Sequence, residues 1–470
     1  MRAATPSTGA ARPRQGALAA GITGKVEQAK TTVALPVFIF ITSLLVPFII
    51  NVGPLRMSAY RIVLLVLIIP LVLKWLSGAA GRIRFPDIAL LLFTAWSIVS
   101  LMMNHPASLW VQTAGILFIE TMGPYLLARI YIRTPEDFYA AVALMFRILV
   151  CLLPFALIEA LTANNVLLNT ANKIAPAFGE TFKDPRWGLD RVQGTFEHPI
   201  LYGVFCGSIL GLTFMVLGYG KSVFQRMFKT MVAFIVAALA LSSGPLTAMT
   251  AQILLMGWRT VFGHIRGHWK ILIAGVTCLI ILIELAANRS SAEIFISYFA
   301  FNTATAYNRI LIFQFGSASV LNYPLFGIGL NEWERAWFMS SSMDMFWLVH
   351  AVRGGLIPGL LMQAIMIWSV IKVATVKNVS DRVNAYRTGY IICLFGYYLA
   401  GWTVHYWNAT YVHFLFMIGA GLWVLDQANS KDKPDGTPSD DPPAGRANER
   451  ARAVPLLNQR AIPVTRKDRS

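Results

Sequence analysis

Charged side chains are scarce in this sequence. Asp, Glu, Lys and Arg make up 13% of the 470 residues and hydrophobic residues make up 56%, whereas a soluble globular protein carries roughly 25% charged residues. The composition therefore excludes an ordinary soluble enzyme, a collagen-like chain and a wholly disordered chain. It predicts an all-α, polytopic integral membrane protein.

Cysteine is also rare, and the common soluble-enzyme motifs are missing. The sequence has no P-loop, no HExxH and no GxGxxG followed by a charged strand, so neither an ATP-driven pump nor a sugar-nucleotide enzyme is expected, nor a metal or other cofactor. An activated donor at the external membrane face would have to be lipid-linked. The four cysteines lie in apolar runs without CxxC spacing, which favours buried small hydrophobic residues over disulfides or metal ligands. They are Cys151, Cys206, Cys278 and Cys393.

Long apolar runs dominate what is present. A bilayer core needs roughly 20 apolar residues per helix, and the chain contains about twelve such candidates. The first run is long for a signal-peptide core and is predicted to be an uncleaved membrane helix. A basic tail, residues 1–32, and a disordered tail, 427–470, are predicted to flank a transmembrane domain, 33–426. The predicted spans are 33–50, 59–77, 86–103, 110–131, 138–162, 198–219, 229–244, 246–263, 270–287, 345–370, 387–407 and 411–426.

Basic residues orient these spans. The formal net charge is +17, and Lys and Arg cluster in alternate connections, which predicts that those connections and both tails are cytoplasmic. The charge therefore indicates orientation, and no nucleic-acid partner is expected. Two connections on the opposite side are long, 163–197 and 288–344, and loops of this length are usually functional. In the second, residues 292–300 and 308–320 are predicted to form amphipathic helices at the interface, with a passive cover as the alternative.

The first long loop contains Arg186 and Arg191 and ends at His198. A guanidinium presents several planar donors that suit phosphate oxygens, so both arginines are candidates for binding a phosphorylated substrate. The alternative is ion pairing with nearby carboxylates, which are those of Asp184, Asp190 and Glu197.

The second long loop contains Arg309 and Arg335 and ends at Asp344. Asp344 is interpreted either as the N-cap of the next helix or as a catalytic carboxylate kept ionised by the helix dipole. His350 and Arg353 follow three residues apart and would share a helix face.

Ionisable groups inside membrane spans are functional or paired. Arg353 could therefore pair with Glu120, and Arg147 with Glu159, and the sequence leaves these pairings open. His405 precedes the last span, where an interfacial aromatic belt accounts for the neighbouring Trp407.

Several of these motifs together resemble a known family. The runs 308–313 (NRILIF) and 323–329 (YPLFGIG) are similar to the signature of the O-antigen ligase and Wzy-type polysaccharide polymerase superfamily. The resemblance covers residues 35–425. Further stretches resemble its exopolysaccharide-polymerase branch, namely 186–203, 120–125 with Arg129, 344–348 with 353–359, and 404–408.

This resemblance implies a GT-C-like fold in the bacterial inner membrane and metal-independent, inverting glycosyl transfer at the periplasmic face. The donor would be a glycan on undecaprenyl pyrophosphate. Arg309 falls on a family arginine, and Asp344 stands where the family has a histidine, so a carboxylate would act as the base. Residues 242–245 (SSGP) lack the arginine that follows a serine in many ligases, a charge that Arg186 or Arg191 would supply. The remaining substrate-binding candidates are His198, Arg335, Arg353 and His405.

The leading hypothesis is thus a polymerase of lipid-linked repeat units for an exopolysaccharide or O-antigen, acting with chain-length and export proteins. One alternative is a ligase that transfers polymer to another acceptor. The other is a transporter of polysaccharide or lipid-linked sugar, in which Glu120, His350 and Arg353 would line the path.

Overall fold

The computed structural model describes residues 32–53, 55–287, 294 and 303–427, and most of these residues are helical. One antiparallel hairpin joins β1 (Ile49–Val52) to β2 (Leu55–Ser58). The helices are α1 (Leu35–Ser43), α2 (Ala59–Leu76), α3 (Phe85–Asn104), α4 (Ala107–Tyr131), α5 (Pro135–Thr162), α6 (Val166–Ile174), α7 (Pro199–Ser208), α8 (Val223–Ala238), α9 (Ser243–Phe262), α10 (His268–Ala286), α11 (Thr303–Asn322), α12 (Phe346–Gly354), α13 (Leu356–Thr375), α14 (Asp381–Ala400), α15 (Asn408–Ala420) and α16 (Val424–Gln427).

Seven described segments are helical, long and apolar enough to cross a membrane, as expected for an all-α membrane protein. The predicted total of twelve spans remains a prediction. The seven are Ala59–Leu76, Phe85–Asn104, Pro135–Thr162, Pro199–Leu217, His268–Ala286, Leu356–Thr375 and Asn408–Gln427.

α7 and α15 form the centre of the bundle. α7 continues through the helical turn Leu210–Leu212 and the π-helical segment Thr213–Leu217, and nearly all of this length is buried. α15 packs against α4, which also contacts α2 and α3, while α9 packs against α14. α11 lies within the second long loop, so the helix predicted over 308–320 is present, whereas the one predicted over 292–300 falls outside the described residues except at Ile294.

α10 has no residue buried by the rest of the described chain. Its Cys278 is exposed, as is Cys151 on α5, so the prediction that all four cysteines are buried is wrong for these two. The reason is that an apolar side chain facing lipid needs no protein cover, so hydrophobicity does not predict burial here. Cys206 and Cys393 are buried.

The first predicted span, 33–50, is interrupted. α1 covers only nine residues and ends at Ser43, and the chain then enters the β1–β2 hairpin. Pro47 follows, and a proline cannot continue a helix hydrogen-bond pattern. Gly53 has φ +58° in the turn between the two strands. A continuous helix through Ile50 is therefore a wrong prediction.

The predicted span 345–370 is also divided, because α12 ends at Gly354 and α13 begins at Leu356. Gly355 between them has φ +87°, and a Cβ there would lie 2.2 Å from the carbonyl oxygen of Leu325. The YPLFGIG segment packs into this break, since Leu356 N donates to Pro324 O at 2.8 Å. This packing gives the segment a structural role.

Replacing Gly355 by alanine should destabilise the protein by about 2 kcal/mol or more, because the new Cβ meets backbone at a φ that L-residues avoid. Thermal unfolding of the detergent-purified protein would measure this as a lowered Tm. Gly275→Ala in α10 is the control, since its Cβ meets nothing within 4 Å and alanine favours a helix. Equal Tm values for the two variants would contradict the close approach at Gly355.

Candidate functional site

The candidate site lies where two helices end earlier than predicted. α8 ends at Ala238 and α14 at Ala400, whereas the predicted spans ran to 244 and 407. α9 starts at Ser243, which places Pro245 in its first turn, where the missing N–H costs nothing. A Cβ on Gly244 would lie 2.8 Å from both Thr403 Oγ1 and Val404 Cγ2. The start of α9 and the non-helical segment 401–407 are therefore neighbours.

Arginines from both long loops reach the start of α9. Arg191 Nη2 donates to Ser242 Oγ at 2.6 Å, and Arg309 Nη2 donates to Ser243 Oγ at 3.2 Å. These two serines were noted in the sequence only for lacking an adjacent arginine. The structure shows that loop arginines supply guanidinium groups at this position.

Arg186 completes this group. Its Nη1 donates to the carbonyl oxygen of Leu241 at 2.6 Å. A tight turn holds Arg186, in which its backbone N–H donates to Leu189 O at 2.9 Å and Leu189 N donates back at 3.0 Å. We refer to Arg186, Arg191 and Arg309 as the arginine cluster.

The arginine cluster concentrates positive charge in a partly buried place. Burial, together with the charge of Arg186, lowers the pKa of Arg191 to about 10. Burial likewise lowers the pKa of Arg309 to about 10, although the charge of Asp344 acts in the opposite direction. Both groups therefore remain cationic at neutral pH. Among the described residues, neither Arg191 nor Arg309 has a carboxylate at ion-pair distance, so this surface suits an anionic ligand.

Within the described chain, Glu197 has partners other than Arg191. Glu197 lies 3.6 Å from Arg56 Nη2 and accepts a hydrogen bond from Asn408 Nδ2. The charge of Asp184 acts on Arg191, but no described carboxylate lies at ion-pair distance from that guanidinium.

Asp344 lies at the end of the second long loop and is not a helix cap. The N-cap of α12 is Met345, and no side chain caps the helix, so the N-cap interpretation is wrong. Asp344 Oδ1 instead accepts a hydrogen bond from Ser342 Oγ at 2.6 Å. Its other carboxylate oxygen has no hydrogen-bond partner among the residues the structure describes, so it can accept a proton or a substrate hydroxyl.

The backbone beside Asp344 is fixed to the same region as the arginine cluster. Phe346 N donates to Val404 O at 3.1 Å, and Val404 is the residue that Gly244 contacts. Asp344 is close enough to Arg309 for its charge to act on that guanidinium. Asp344 and the arginine cluster thus belong to one site.

The predicted histidines His198 and His405 both lie near Trp407. His198 caps α7, because its Nδ1 accepts from Ile200 N at 3.0 Å, and its ring is 6.4 Å from that of Trp407. The centroid of the His405 ring lies 5.7 Å from that of the Trp407 ring. In the described chain, the buried Nδ1 of His405 and Nε2 of His350 have no hydrogen-bond partner.

Arg335 and Arg353 are not brought to the arginine cluster. Arg335 Nη1 forms an ion pair with Glu332 at 2.6 Å, and Arg353 Nη1 donates to Gly329 O at 3.2 Å. Both partners, Glu332 and Gly329, belong to the second long loop. The role of these two residues in binding substrate stays a prediction, and the charge of Arg353 acts on His405.

Both predicted intramembrane ion pairs are wrong. Glu120 pairs with Arg61 at 2.7 Å, not with Arg353, and also accepts from Tyr60 at 2.9 Å. Arg61 was not identified in the sequence, although a charge so near the start of a span is itself a signal. Arg61 Nη2 also donates a hydrogen bond to Asn408 Oδ1 at 3.0 Å.

Glu159 contacts backbone N–H groups instead of Arg147. Its carboxylate accepts from the backbone N–H groups of Gln193 at 2.7 Å and Gly194 at 3.0 Å. Gln193 and Gly194 lie within one short stretch of chain after Arg191. Glu159 therefore holds the first long loop and, through it, the position of Arg191.

The side chains described here include no group of three His, Cys, Asp or Glu that could hold a metal ion. The chain matches no model of a known protein family, and a comparison with curated proteins finds no significant similarity. The assignment of function therefore depends on the chemistry of this site and on the resemblance carried by its motifs.

Proposed function

We propose that this protein is a metal-independent inverting glycosyltransferase that polymerises lipid-linked repeat units into an exopolysaccharide or O-antigen. The observation that carries this proposal is the convergence of the arginine cluster on residues 241–243, beside Asp344. The donor is a glycan on undecaprenyl pyrophosphate, and the acceptor is a hydroxyl of another lipid-linked unit.

The cluster supports a role in leaving-group stabilisation. When the bond between the anomeric carbon and the pyrophosphate oxygen breaks, negative charge develops on the departing pyrophosphate. Guanidinium groups held in place by hydrogen bonds to Ser242 and Ser243 can receive that charge without reorganising. Arg186, Arg191 and Arg309 are assigned this role.

Asp344 supports the other half of the reaction. As the acceptor oxygen forms the new glycosidic bond, its proton transfers to the carboxylate of Asp344, while the pyrophosphate leaves on the opposite side of the anomeric carbon. The hydrogen bond from Ser342 fixes one carboxylate oxygen and leaves the other to face the acceptor. His198 and His405, whose rings both lie near Trp407, are assigned to sugar binding.

The distribution of basic residues supports a periplasmic site in the inner membrane with both termini in the cytoplasm. The two long loops that supply the arginine cluster and Asp344 then face the periplasm. Chain-length regulators and export proteins are the expected partners.

Purified protein given only undecaprenyl-pyrophosphate-linked repeat units should produce a ladder of glycans, which gel electrophoresis would detect. A ligase would need a second acceptor before any product appears. A transporter reconstituted in vesicles would move the lipid-linked unit without changing it covalently. Either result would overturn the polymerase assignment.

A further inference from the structure

A cavity lined by basic residues lies far from the arginine cluster. Its volume is about 370 Å³. It is formed by the π-helical segment and the turn after it, the start of α8, the end of α9 and the start of α14. The charged residues that line it are Lys221, Arg226, Arg259 and Asp381. A volume of this size is within the range of small-ligand sites.

The cavity lies at the opposite end of the helix bundle from the arginine cluster. α9 begins at Ser243, which Arg309 contacts, and reaches Arg259 about 24 Å further on at about 1.5 Å per residue. α14 runs antiparallel, from Asp381 at the cavity to Ala400 near the arginine cluster. The distance from Ser243 to Arg259 along α9 approaches the thickness of a bilayer core, so the cavity and the arginine cluster lie at opposite membrane faces.

Positive charge in this cavity exceeds negative charge. Within the part of the chain that the structure describes, Lys221, Arg226 and Arg259 have no carboxylate at ion-pair distance. Asp381 is the one acidic residue among those lining the cavity. Burial, together with the nearby charge of Arg259, lowers the pKa of Arg226.

Arg226 is held rigidly, unlike a solvated surface cation. Its Nε donates to Phe214 O at 2.9 Å, and its guanidinium carbon lies 3.5 Å from the centroid of the Phe214 ring. A Cβ on Gly218 would come within 2.5 Å of Arg226 Cγ, so glycine is needed for this placement. The accepting carbonyl belongs to the π-helical segment, a feature that is frequent at functional sites.

We propose that this cavity binds a phosphate group through Arg226 and Arg259. Fixed guanidinium groups form charge-assisted hydrogen bonds with phosphate oxygens. The phosphate can come from an anionic phospholipid headgroup or from a soluble phosphate. The neighbouring apolar surface favours the lipid source, because Val223 and Phe224 at the start of α8 are exposed and would contact acyl chains.

Native mass spectrometry of the delipidated full-length protein tests this proposal. Phosphatidylglycerol, phosphatidylcholine and inorganic phosphate are added in separate arms. We expect phosphatidylglycerol to bind, and Arg226→Gln/Arg259→Gln to weaken its binding at least tenfold. Arg266→Gln is the matched control, because Arg266 is an exposed arginine just after α9 and does not line the cavity.

The arms distinguish the two sources of phosphate. Binding of inorganic phosphate that is lost in the double variant, without competition from phosphatidylglycerol, would identify a soluble ligand. Absence of binding in both anionic arms, or equal binding by the wild type and the double variant, would overturn the site. Equal Tm values for the wild type and the double variant would show that a loss of binding is not a loss of fold. If the double variant proves unstable, Arg226→Lys, which keeps the charge, should retain part of the binding.

Discussion

Asp344→Asn should abolish polymer formation, lowering the rate of glycosyl transfer by roughly 10²–10⁴-fold. An amide has nearly the same shape as the carboxylate and can still accept the hydrogen bond from Ser342, but it cannot take the proton of the acceptor hydroxyl. The amount of protein in the membrane should be unchanged, because Asp344 caps no helix. Glycan ladders made by the purified variant would measure the loss.

The control for this variant is Glu334→Gln, which neutralises an exposed carboxylate in the same large loop. It should leave both the rate and the length distribution close to those of the wild type. Polymer of normal length and yield from Asp344→Asn would exclude Asp344 as the base.

Arg191→Gln and Arg309→Gln should each lower the rate of transfer by about 10²–10³-fold, comparable to removing one preorganised donor to a developing negative charge. Because this stabilisation acts mainly in the transition state, kcat should fall by about as much as kcat/KM. The corresponding lysine variants should retain intermediate rates, since lysine keeps the charge and loses the planar donor geometry. Single-turnover kinetics with a defined lipid-linked donor would measure these values.

The control for the arginine variants is Lys173→Gln, which removes an exposed cation from the first long loop at the end of α6. Its rate should match that of the wild type. A rise in KM with unchanged kcat in the arginine variants would show uniform substrate binding and would contradict their role in stabilising the leaving group.

The sequence identified the members of the arginine cluster and not their meeting point. Arg186 and Arg191 are more than a hundred residues from Arg309 along the chain, and each was a candidate on residue type alone. The arginines meet at the break between α8 and α9, because Ser242 and Ser243 there accept hydrogen bonds from Arg191 and Arg309. The predicted spans 229–244 and 246–263 divide at this point, but hydropathy does not indicate which loop side chains meet there.

The errors in the predicted spans have a similar origin. Runs of apolar residues predicted one helix across Pro47 and one across Gly355, yet the local backbone breaks at both positions. Pairing was mispredicted because the partners of a buried carboxylate are set by packing in three dimensions. Glu159 accepts hydrogen bonds from backbone N–H groups, and Glu120 forms an ion pair with Arg61 on a neighbouring helix.

The isolation of α10 has a consequence for how this protein can vary. Since none of its side chains is buried by the described chain and Ile273 and Leu279 are exposed, substitutions such as Ile273→Leu or Leu279→Val leave no internal void. Selection on most of this helix then comes from the bilayer, which requires apolar character and length but no particular shape. Homologous chains should therefore diverge fastest here among their membrane helices, while the residues facing α7 and α15 stay nearly fixed.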